Sequence, residues 1–282
     1  MPSGAPIDSS AMPPVCLTIA GFDPSSGAGI TADLKTFAAY GIYGVAAITA
    51  LTVQSTQGVR KVEPVRPSLL RETLECLASD VALAGVKLGM LAGAGSVAEA
   101  EHFLRTRPDL RRRIVLDPVL RSSSGAPLVD AEGTALLRER LLGVVGWITP
   151  NLDELALLTS LEVRSRKQVG AAAKQLAIQA ATLGNPGLAI VVTGGHLDQP
   201  DDFLLMDGQG SWLAGERVET RSTHGTGCAF SSALLAEVVL GRAGSEAVEG
   251  AKHYVREALR LAYPVGQGHG PLHHLFAYKP PS

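Results

Sequence analysis

The stretch Ser222-Thr-His-Gly-Thr-Gly-Cys-Ala-Phe-Ser-Ser-Ala233 places two glycines and a cysteine ahead of a run that reads as a helix from Ala229 to Leu240. A glycine-rich turn entering a helix leaves several backbone N–H groups without carbonyl partners. The positive end of the helix dipole falls at the same point, which makes an anion site. Cys228 adds a base or nucleophile in the first turn. The turn lacks the Gly-Lys-Ser/Thr ending of a nucleotide P-loop, and it is not a G-x-G-x-x-G dinucleotide loop. Nor is it a G-x-S-x-G nucleophile elbow. A phosphate-cradling turn with a general base at its end remains, which is what phosphoryl transfer to a hydroxyl requires. A helix N-terminus lowers a thiol pKa from its usual value of about 8.5, so a thiolate near neutral pH is expected at Cys228. The plain alternative is a small residue packed at a helix start.

Other chemistry-bearing groups follow apolar runs. Gly21-Phe-Asp-Pro-Ser-Ser-Gly-Ala-Gly-Ile30 is a glycine-rich loop with a helix N-cap expected at Ser25 or Ser26. The helix after it carries Ile30, Leu34, Phe37 and Gly41 on one stripe, with Asp33 on its margin. A carboxylate there needs a partner or a ligand, or reaches solvent. Gln54, in the polar segment Thr52–Gly58, can donate and accept together, as the edge of a heterocycle demands; a solvated loop glutamine is the ordinary reading. Met90, just past a strand, is suited to a flat ligand or to core filling. Asp117 ends a strand, and Asn151 with Glu154 has the spacing of a capping box, the structural reading that spacing alone favours. Thr193-Gly-Gly-His196 ends another strand. The histidines of Gly266-Gln-Gly-His-Gly-Pro-Leu-His-His274 are separated by Gly and Pro and read as a loop, not a metal cluster.

The elements that must position these groups alternate. Strands are expected at 15–21, 44–51, 82–88, 114–116, 144–148 and 188–192, with helices at 30–41, 67–78, 97–105, 131–142, 167–183, 229–240 and 246–261. A hairpin is expected over 203–213, across Asp207-Gly208. Strand–helix alternation means βαβ units and a mostly parallel sheet with helices on both faces. Loops after such strands share one sheet edge, so Gln54, Met90, Asp117, Asn151 and Gly194-Gly195 are expected around one cleft. No composition break divides the chain: a tail over 1–13, a single domain over 14–276 and a tail over 277–282 are expected. Of 282 residues 46% are hydrophobic and 18% charged, with a formal charge of −2. That excludes disorder and, with no basic run beyond Arg111-Arg112-Arg113, disfavours nucleic acid. No apolar run is long enough to span a bilayer. Cys16, Cys76 and Cys228 fit neither a disulfide framework nor a cysteine zinc site, and suit a reducing cytoplasm.

The ordered pieces Leu17-Thr-Ile-Ala-Gly-Phe-Asp-Pro-Ser-Ser-Gly-Ala-Gly-Ile30, Ile48-Thr-Ala-Leu-Thr-Val-Gln-Ser-Thr-Gln-Gly58, Lys87-Leu-Gly-Met-Leu91, Leu116-Asp-Pro-Val119, Thr149-Pro-Asn-Leu-Asp-Glu154, Gly194-Gly-His196 and His224-Gly-Thr-Gly-Cys228 carry a resemblance. From about Cys16 to His274 the chain resembles the ribokinase-like superfamily, and within it the hydroxymethylpyrimidine and phosphomethylpyrimidine kinases of thiamine biosynthesis. That resemblance implies a ribokinase-like α/β fold. It also implies phosphorylation by ATP, with Mg2+, of 4-amino-5-hydroxymethyl-2-methylpyrimidine and of its monophosphate. Asp33 and Gln54 would read the ring edge and Met90 its face, with Gly21 beside them. Gly225, Thr226 and Gly227 would surround the transferred phosphoryl. Cys228 stands where most of the superfamily has the aspartate that deprotonates the acceptor. Asp117 and Glu154 would help place magnesium, indirectly, and Asn151 the nucleotide phosphates; Thr193, Gly195 and His196 would lie near the nucleotide. A homodimer is compatible with this reading. A pyridoxal or pyridoxine kinase is its nearest rival, and a silent vitamin-binding regulatory module is a rival of another class.

Three departures from the family pattern matter. Phe22 and Ser26 replace smaller residues. Ser123 and Ala126 stand where Lys and Asp are usual, and Thr193 where Lys often precedes Gly-Gly-His. Loss of two lysines near phosphates weakens the expected grip on a phosphate-bearing acceptor.

Overall fold

A computed structural model describes residues 12–121, 125, 127–195 and 199–278. In chain order its strands are β1 (Val15–Phe22), β2 (Tyr43–Ser55), β3 (Gly58–Pro64), β4 (Leu83–Leu88), β5 (Ile114–Leu116), β6 (Trp147–Ile148), β7 (Ala189–Val192), β8 (Asp202–Met206) and β9 (Gln209–Leu213). The helices are α1 (Gly29–Ala39), α2 (Pro67–Asp80), α3 (Ala94–Arg105), α4 (Ala131–Glu139), α5 (Leu152–Thr159), α6 (Arg166–Thr182), α7 (Thr226–Val239) and α8 (Gly244–Arg260). The nine strands form one sheet in the order β3-β2-β1-β4-β5-β6-β7-β8-β9. Neighbours from β2 to β7 pair in parallel, while β3, β8 and β9 join antiparallel.

Successive residues of a strand point to opposite faces, and both faces here are covered. Leu17, Ile19, Ile114, Leu116, Ile148 and Ile190 pack under the layer of α2 to α6. Cys16, Val115, Trp147 and Val191 pack under α1, α7 and α8. Helix α7 is buried at every residue from Ala229 to Glu237, which explains why it lacks a polar face.

Most expected elements are present, with four differences. The strand expected at 144–148 shrinks to Trp147–Ile148, and the helix expected to Leu142 ends at Glu139, with a 3-10 turn at Leu141–Gly143 between them. The segment expected as a polar loop from Thr52 is the end of β2. The edge strand β3, exposed along much of its length, is not anticipated from the sequence. Charged edge strands with little apolar content give a weak pattern while resisting edge-to-edge pairing. Chain direction across the sheet reverses between β1, which leads to β2 on one side, and β4 on the other. In open α/β sheets the crevice at such a reversal, beyond the strand carboxyl ends, is where ligands bind.

Candidate active site

Two glycine-rich loops meet at that crevice. After β1, Asp23 caps the first of them from within: its carboxylate accepts from Ser25 N (2.8 Å), Ser25 Oγ (2.6 Å), Gly27 N (3.1 Å) and Ala28 N (2.9 Å). The helix cap expected from Ser25 or Ser26 is not made: the N-cap of α1 is Ala28 with no side-chain cap bond, and Asp23 ties the loop amides just ahead of it. Although burial works against it, hydrogen bonds from His224 and Ser25 bring the Asp23 pKa down to about 2. A lowered carboxylate pKa stabilises the fold above the unfolded value of about 4, and that stability is lost as pH falls through about 2. Asp23→Asn should thus be less stable than the parent at pH 7, and the two proteins' denaturant midpoints should converge between pH 4 and pH 2.

Ser26 has a φ of +61°, a left-handed conformation that costs a residue with a Cβ roughly 1–2 kcal/mol. This accounts for the smaller residue usual at that place. Ser26→Gly is expected to raise stability by about 1 kcal/mol at most, read as a higher melting temperature with an unchanged fold.

The second loop packs on the first, backbone against backbone. Gly225 has a φ of +84°, and a Cβ there would stand 1.9 Å from Gly27 O. Gly29 is as constrained, since a Cβ would stand 2.2 Å from Gly21 O. The N-termini of α1 and α7 consequently converge, and the open-ended amides of Gly227 and Cys228 face the same space. Thr226 turns its hydroxyl back to Thr223 O (2.7 Å), closing the turn instead of facing a ligand.

The Cys228 thiol lies beside the Gly29 amide and within hydrogen-bonding reach of Asp117. Burial pushes its pKa up to about 12; Asp117 and Asp33 add to the rise, while Lys87 and the Gly29 amide oppose it. The thiolate expected from the helix terminus alone is corrected: desolvation and two carboxylates outweigh the dipole, and the free protein holds a thiol.

Asp33 is corrected as well. It lies at the centre of the buried face of α1, not on its margin, and is fully buried. Its carboxylate accepts from Thr18 Oγ1 (2.6 Å), Ser232 Oγ (2.8 Å) and Lys87 Nζ at both oxygens (3.0 Å). Three donor groups thus fill four acceptor directions, Lys87 taking two, and none is left for a ring edge. Lys87, on β4, is itself fully buried, and Asp33 holds its ammonium charged against the pull of burial. Gly89 gives it room, because a Cβ there would lie 2.8 Å from Nζ. Neither Lys87 nor the Ser231 and Ser232 hydroxyls carried a role in the sequence reading. The signal for Lys87 was present: a lysine inside the apolar strand Leu83-Ala-Gly-Val-Lys-Leu88.

Past its bulge, β2 turns Ala50, Thr52 and Gln54 inward and Leu51 and Val53 outward, the latter two half-exposed. Thr52 Oγ1 donates to Phe22 O (2.9 Å). The Gln54 amide lies 3.1 Å from His224 Nε2, which is 2.8 Å from Asp23 Oδ2. One ring nitrogen can donate to Asp23 or accept from Gln54, but not both. With His224 Nε2 donating to Asp23, the Gln54 amide nitrogen finds no acceptor on that ring and keeps the donor valence that can turn to a ligand. Beneath it Met90 packs with Ala50 and Leu128 in a small apolar cluster apart from the two main layers. Its Cε fills the space where a Cβ on Gly21 would lie, 2.2 Å away. Gly21 and Met90 are therefore in contact, and Gln54 lies further along β2 from Ala50 of the same cluster.

On the other side of Cys228, Asp117 accepts from Ser231 Oγ (3.2 Å), and burial with the nearby Asp33 raises its proton affinity. Glu154 and Asn151 form the full capping box of α5, with Asn151 N to Glu154 Oε2 and Glu154 N to Asn151 Oδ1 both at 2.9 Å. Burial and the charge of Asp117 lift the Glu154 pKa to about 8. Thr193 bridges Asn151 in parallel, which brings the loop after β7 to the same edge. Gly194 N donates to Asp202 Oδ1 (2.9 Å), and the space around Gly195 is open. His196, Ser123 and Ala126 lie outside the described residues. Two buried carboxylates with raised proton affinity, Asp117 adding to that of Glu154, form a donor set that a divalent cation would relieve. Among the described residues no group of three or more His, Cys, Asp or Glu side chains could hold a metal ion alone. Magnesium bound through one or two carboxylates, substrate phosphates and water needs no such group.

Comparison with known proteins places these features in a family. The model of the family described as "Phosphomethylpyrimidine kinase" matches residues 23–273. A hydroxymethylpyrimidine/phosphomethylpyrimidine kinase of Salmonella typhimurium is 41% identical over 269 residues, 93% of this chain and 97% of that protein. Pyridoxal kinase of Bacillus subtilis, solved with ADP, superposes with a TM-score of 0.82 at 31% identity, covering 93% of this chain and 98% of the other. Phosphomethylpyrimidine kinase of Clostridium difficile gives 0.75 at 32%, covering 87% and 99%. Two longer relatives are spanned only in part. The chain covers 52% of a bifunctional thiamine biosynthesis protein of Geobacter sulfurreducens and 35% of a multifunctional one of Corynebacterium efficiens.

Proposed function

Because the chain belongs to the phosphomethylpyrimidine kinase family, we propose that it phosphorylates 4-amino-5-hydroxymethyl-2-methylpyrimidine and then its monophosphate, with ATP as donor, in thiamine diphosphate biosynthesis. The observation that carries this reading is the position of Cys228. It stands where two helix N-termini converge, beside Asp117 and four residues after His224, whose ring meets Gln54.

The aminopyrimidine lies with its face on Met90 and its polar edge at Gln54. The acceptor hydroxyl points to Cys228, and the amides of Gly227 and Cys228 receive the charge that grows on the transferred phosphoryl. As the acceptor oxygen bonds to the γ-phosphorus and the bond to ADP breaks, its proton leaves toward Cys228 Sγ. The thiol's own proton passes to Asp117. Asp117 and Glu154 would hold magnesium indirectly, through its water, so that Asp117 keeps an oxygen for the proton; the ion would neutralise phosphate charge and align the nucleotide. Thr193 and Gly195 line the nucleotide side. Asp33 acts one step back: with Lys87 it sets the charge beneath the thiol. Thr193 and Ser123, each in place of a lysine, leave the phosphate of a monophosphate acceptor less well held, so the second phosphorylation is the slower one. The setting is the cytoplasm, in keeping with three free cysteines, and the assembly is a homodimer, for which the exposed Leu51 and Val53 offer an apolar face.

The test is ATP turnover with hydroxymethylpyrimidine, its monophosphate and pyridoxal side by side. The likeness to pyridoxal kinases gives the competing acceptor; faster turnover of pyridoxal would overturn the substrate assignment. Gln54→Leu is expected to weaken aminopyrimidine binding by roughly 10–100-fold, the cost of an unpaired polar edge, with ATP binding unchanged. Calorimetry that finds the ring bound as tightly as by the parent would remove Gln54 from the site.

A further inference from the structure

The C-terminal segment 265–274 touches neither Cys228 nor the carboxylates, yet it is fastened to the β2–β3 hairpin tip, to the anion turn and to the cleft between α1 and α8. At one end it grips the tip of the β2–β3 hairpin. Gly268 N donates to Thr56 Oγ1 (3.2 Å), His269 N to Thr56 O (3.0 Å), and Gln57 Nε2 to Gln267 Oε1 (3.0 Å). The approach is close enough that a Cβ on Gly268 would stand 1.9 Å from Thr56 O. In its middle it pairs with the anion turn, His224 N donating to Gly270 O (3.0 Å) beside a bridge to Pro271.

At the far end His274 is 3% exposed and wedged between α1 and α8. Its Nδ1 lies 3.4 Å from Thr36 Oγ1, and Tyr254 OH donates to its carbonyl (2.9 Å). The ring is buried beside the Gly27 backbone, and its Nε2 makes no hydrogen bond of good geometry among the described residues. The glycines and histidines that read as a loop in the sequence are thus joints and anchors of one strap.

We propose that this strap is a positioning device: it sets the hairpin that carries Gln54 in register with the anion turn that carries Cys228, and so governs acceptor binding without touching the acceptor. His274 is its fixed end. The proposal rests on the kinase reading for its kinetic consequence but not for its structural one. At the junction the strap's amides, Gly268 N and His269 N, donate and the hairpin tip accepts through Thr56, so loss of these bonds frees the tip to open locally.

The experiment compares Thr56→Val, which removes the hydroxyl that accepts from Gly268, with Thr56→Ser, which keeps it, and with Gly268→Ala. Thr56→Val and Gly268→Ala should raise KM for hydroxymethylpyrimidine about tenfold, the worth of one lost hydrogen bond, with KM for ATP unchanged. Amide exchange at Gln57 and Gly58 should accelerate in both, and Thr56→Ser should restore both readouts. Unchanged acceptor KM and exchange in Thr56→Val would overturn the proposal. So would an equal rise in both KM values with a lowered melting temperature, because that is general loosening. If Gly268→Ala does not fold, the Thr56 pair decides alone. If the parent turns over no aminopyrimidine, the function reading fails, while hairpin exchange in Thr56→Val still decides the strap.

Discussion

Cys228→Ala is expected to lower kcat by roughly 10²–10⁴, the range for a lost proton-transfer group, with KM for acceptor and ATP little changed. The alanine leaves the backbone amides of the anion turn in place, so the phosphoryl site survives and only the handling of the proton is lost. Parent turnover in the variant would remove the cysteine from the chemistry. A second readout tests the state of the group. The thiol sits between Asp117 and Asp33 in a desolvated pocket, and its pKa is pushed up to about 12. Iodoacetamide should therefore alkylate Cys228 slowly at pH 7–8 in the free protein, more slowly than the exposed Cys76. Rapid labelling of Cys228 would show that Lys87 and the helix dipole prevail over the carboxylates.

The second large effect is at Lys87. Lys87→Met should destabilise the fold by about 3–5 kcal/mol, because it strands the buried Asp33 carboxylate. Thr18 and Ser232 still donate to Asp33, but no cation offsets its charge. Removing both charges in Lys87→Met/Asp33→Asn should cost clearly less than the sum of the two single changes, since neither variant side chain then faces an unpaired ion. Denaturant unfolding of the four proteins measures this; strict additivity would mean the pair is not a unit. The variant should also lose activity beyond its loss of stability, because the cation nearest Cys228 and Asp117 is gone.

Much of the site was legible where the signal is local. The Asn151–Glu154 box follows from the spacing of two residues one helical turn apart and is present as read. The glycine turn at 225–228 announces open amides by composition alone. The strand-end rule brought Met90, Gln54, Asp117 and Asn151 to one edge, even though β2 runs on through Gln54. The failures were long-range. Asp33 was read from a helical stripe as marginal, because the wheel sees only one helix. Its surroundings come from Lys87, 54 positions away, and Ser232, 199 positions away. Cys228 was assigned a lowered pKa from its helix terminus, the one local influence on it; the burial and carboxylates that decide the matter come from other elements. His224 was quoted only as part of a motif, and its tie to Asp23 spans 201 positions. Hydrogen-bond partners at such separations leave no periodic trace in sequence.

The contact of Gly225 with Gly27 has a further consequence for how the molecule comes into being. Nearly two hundred residues separate the two glycine loops, so neither can complete the phosphate pocket until the other has been made. A chain emerging in order from a ribosome builds α1 and the early strands first. The sheet face that carries Cys16 and Val115 must then wait for α7 and α8 before it is covered. Such sequence-distant closure is slow. The phosphate site is consequently among the last parts to assemble, and the nascent chain shows an uncovered apolar sheet until that moment. A ligand bridging both loops would act as a selective stabiliser of the finished fold, catching the protein at its final step.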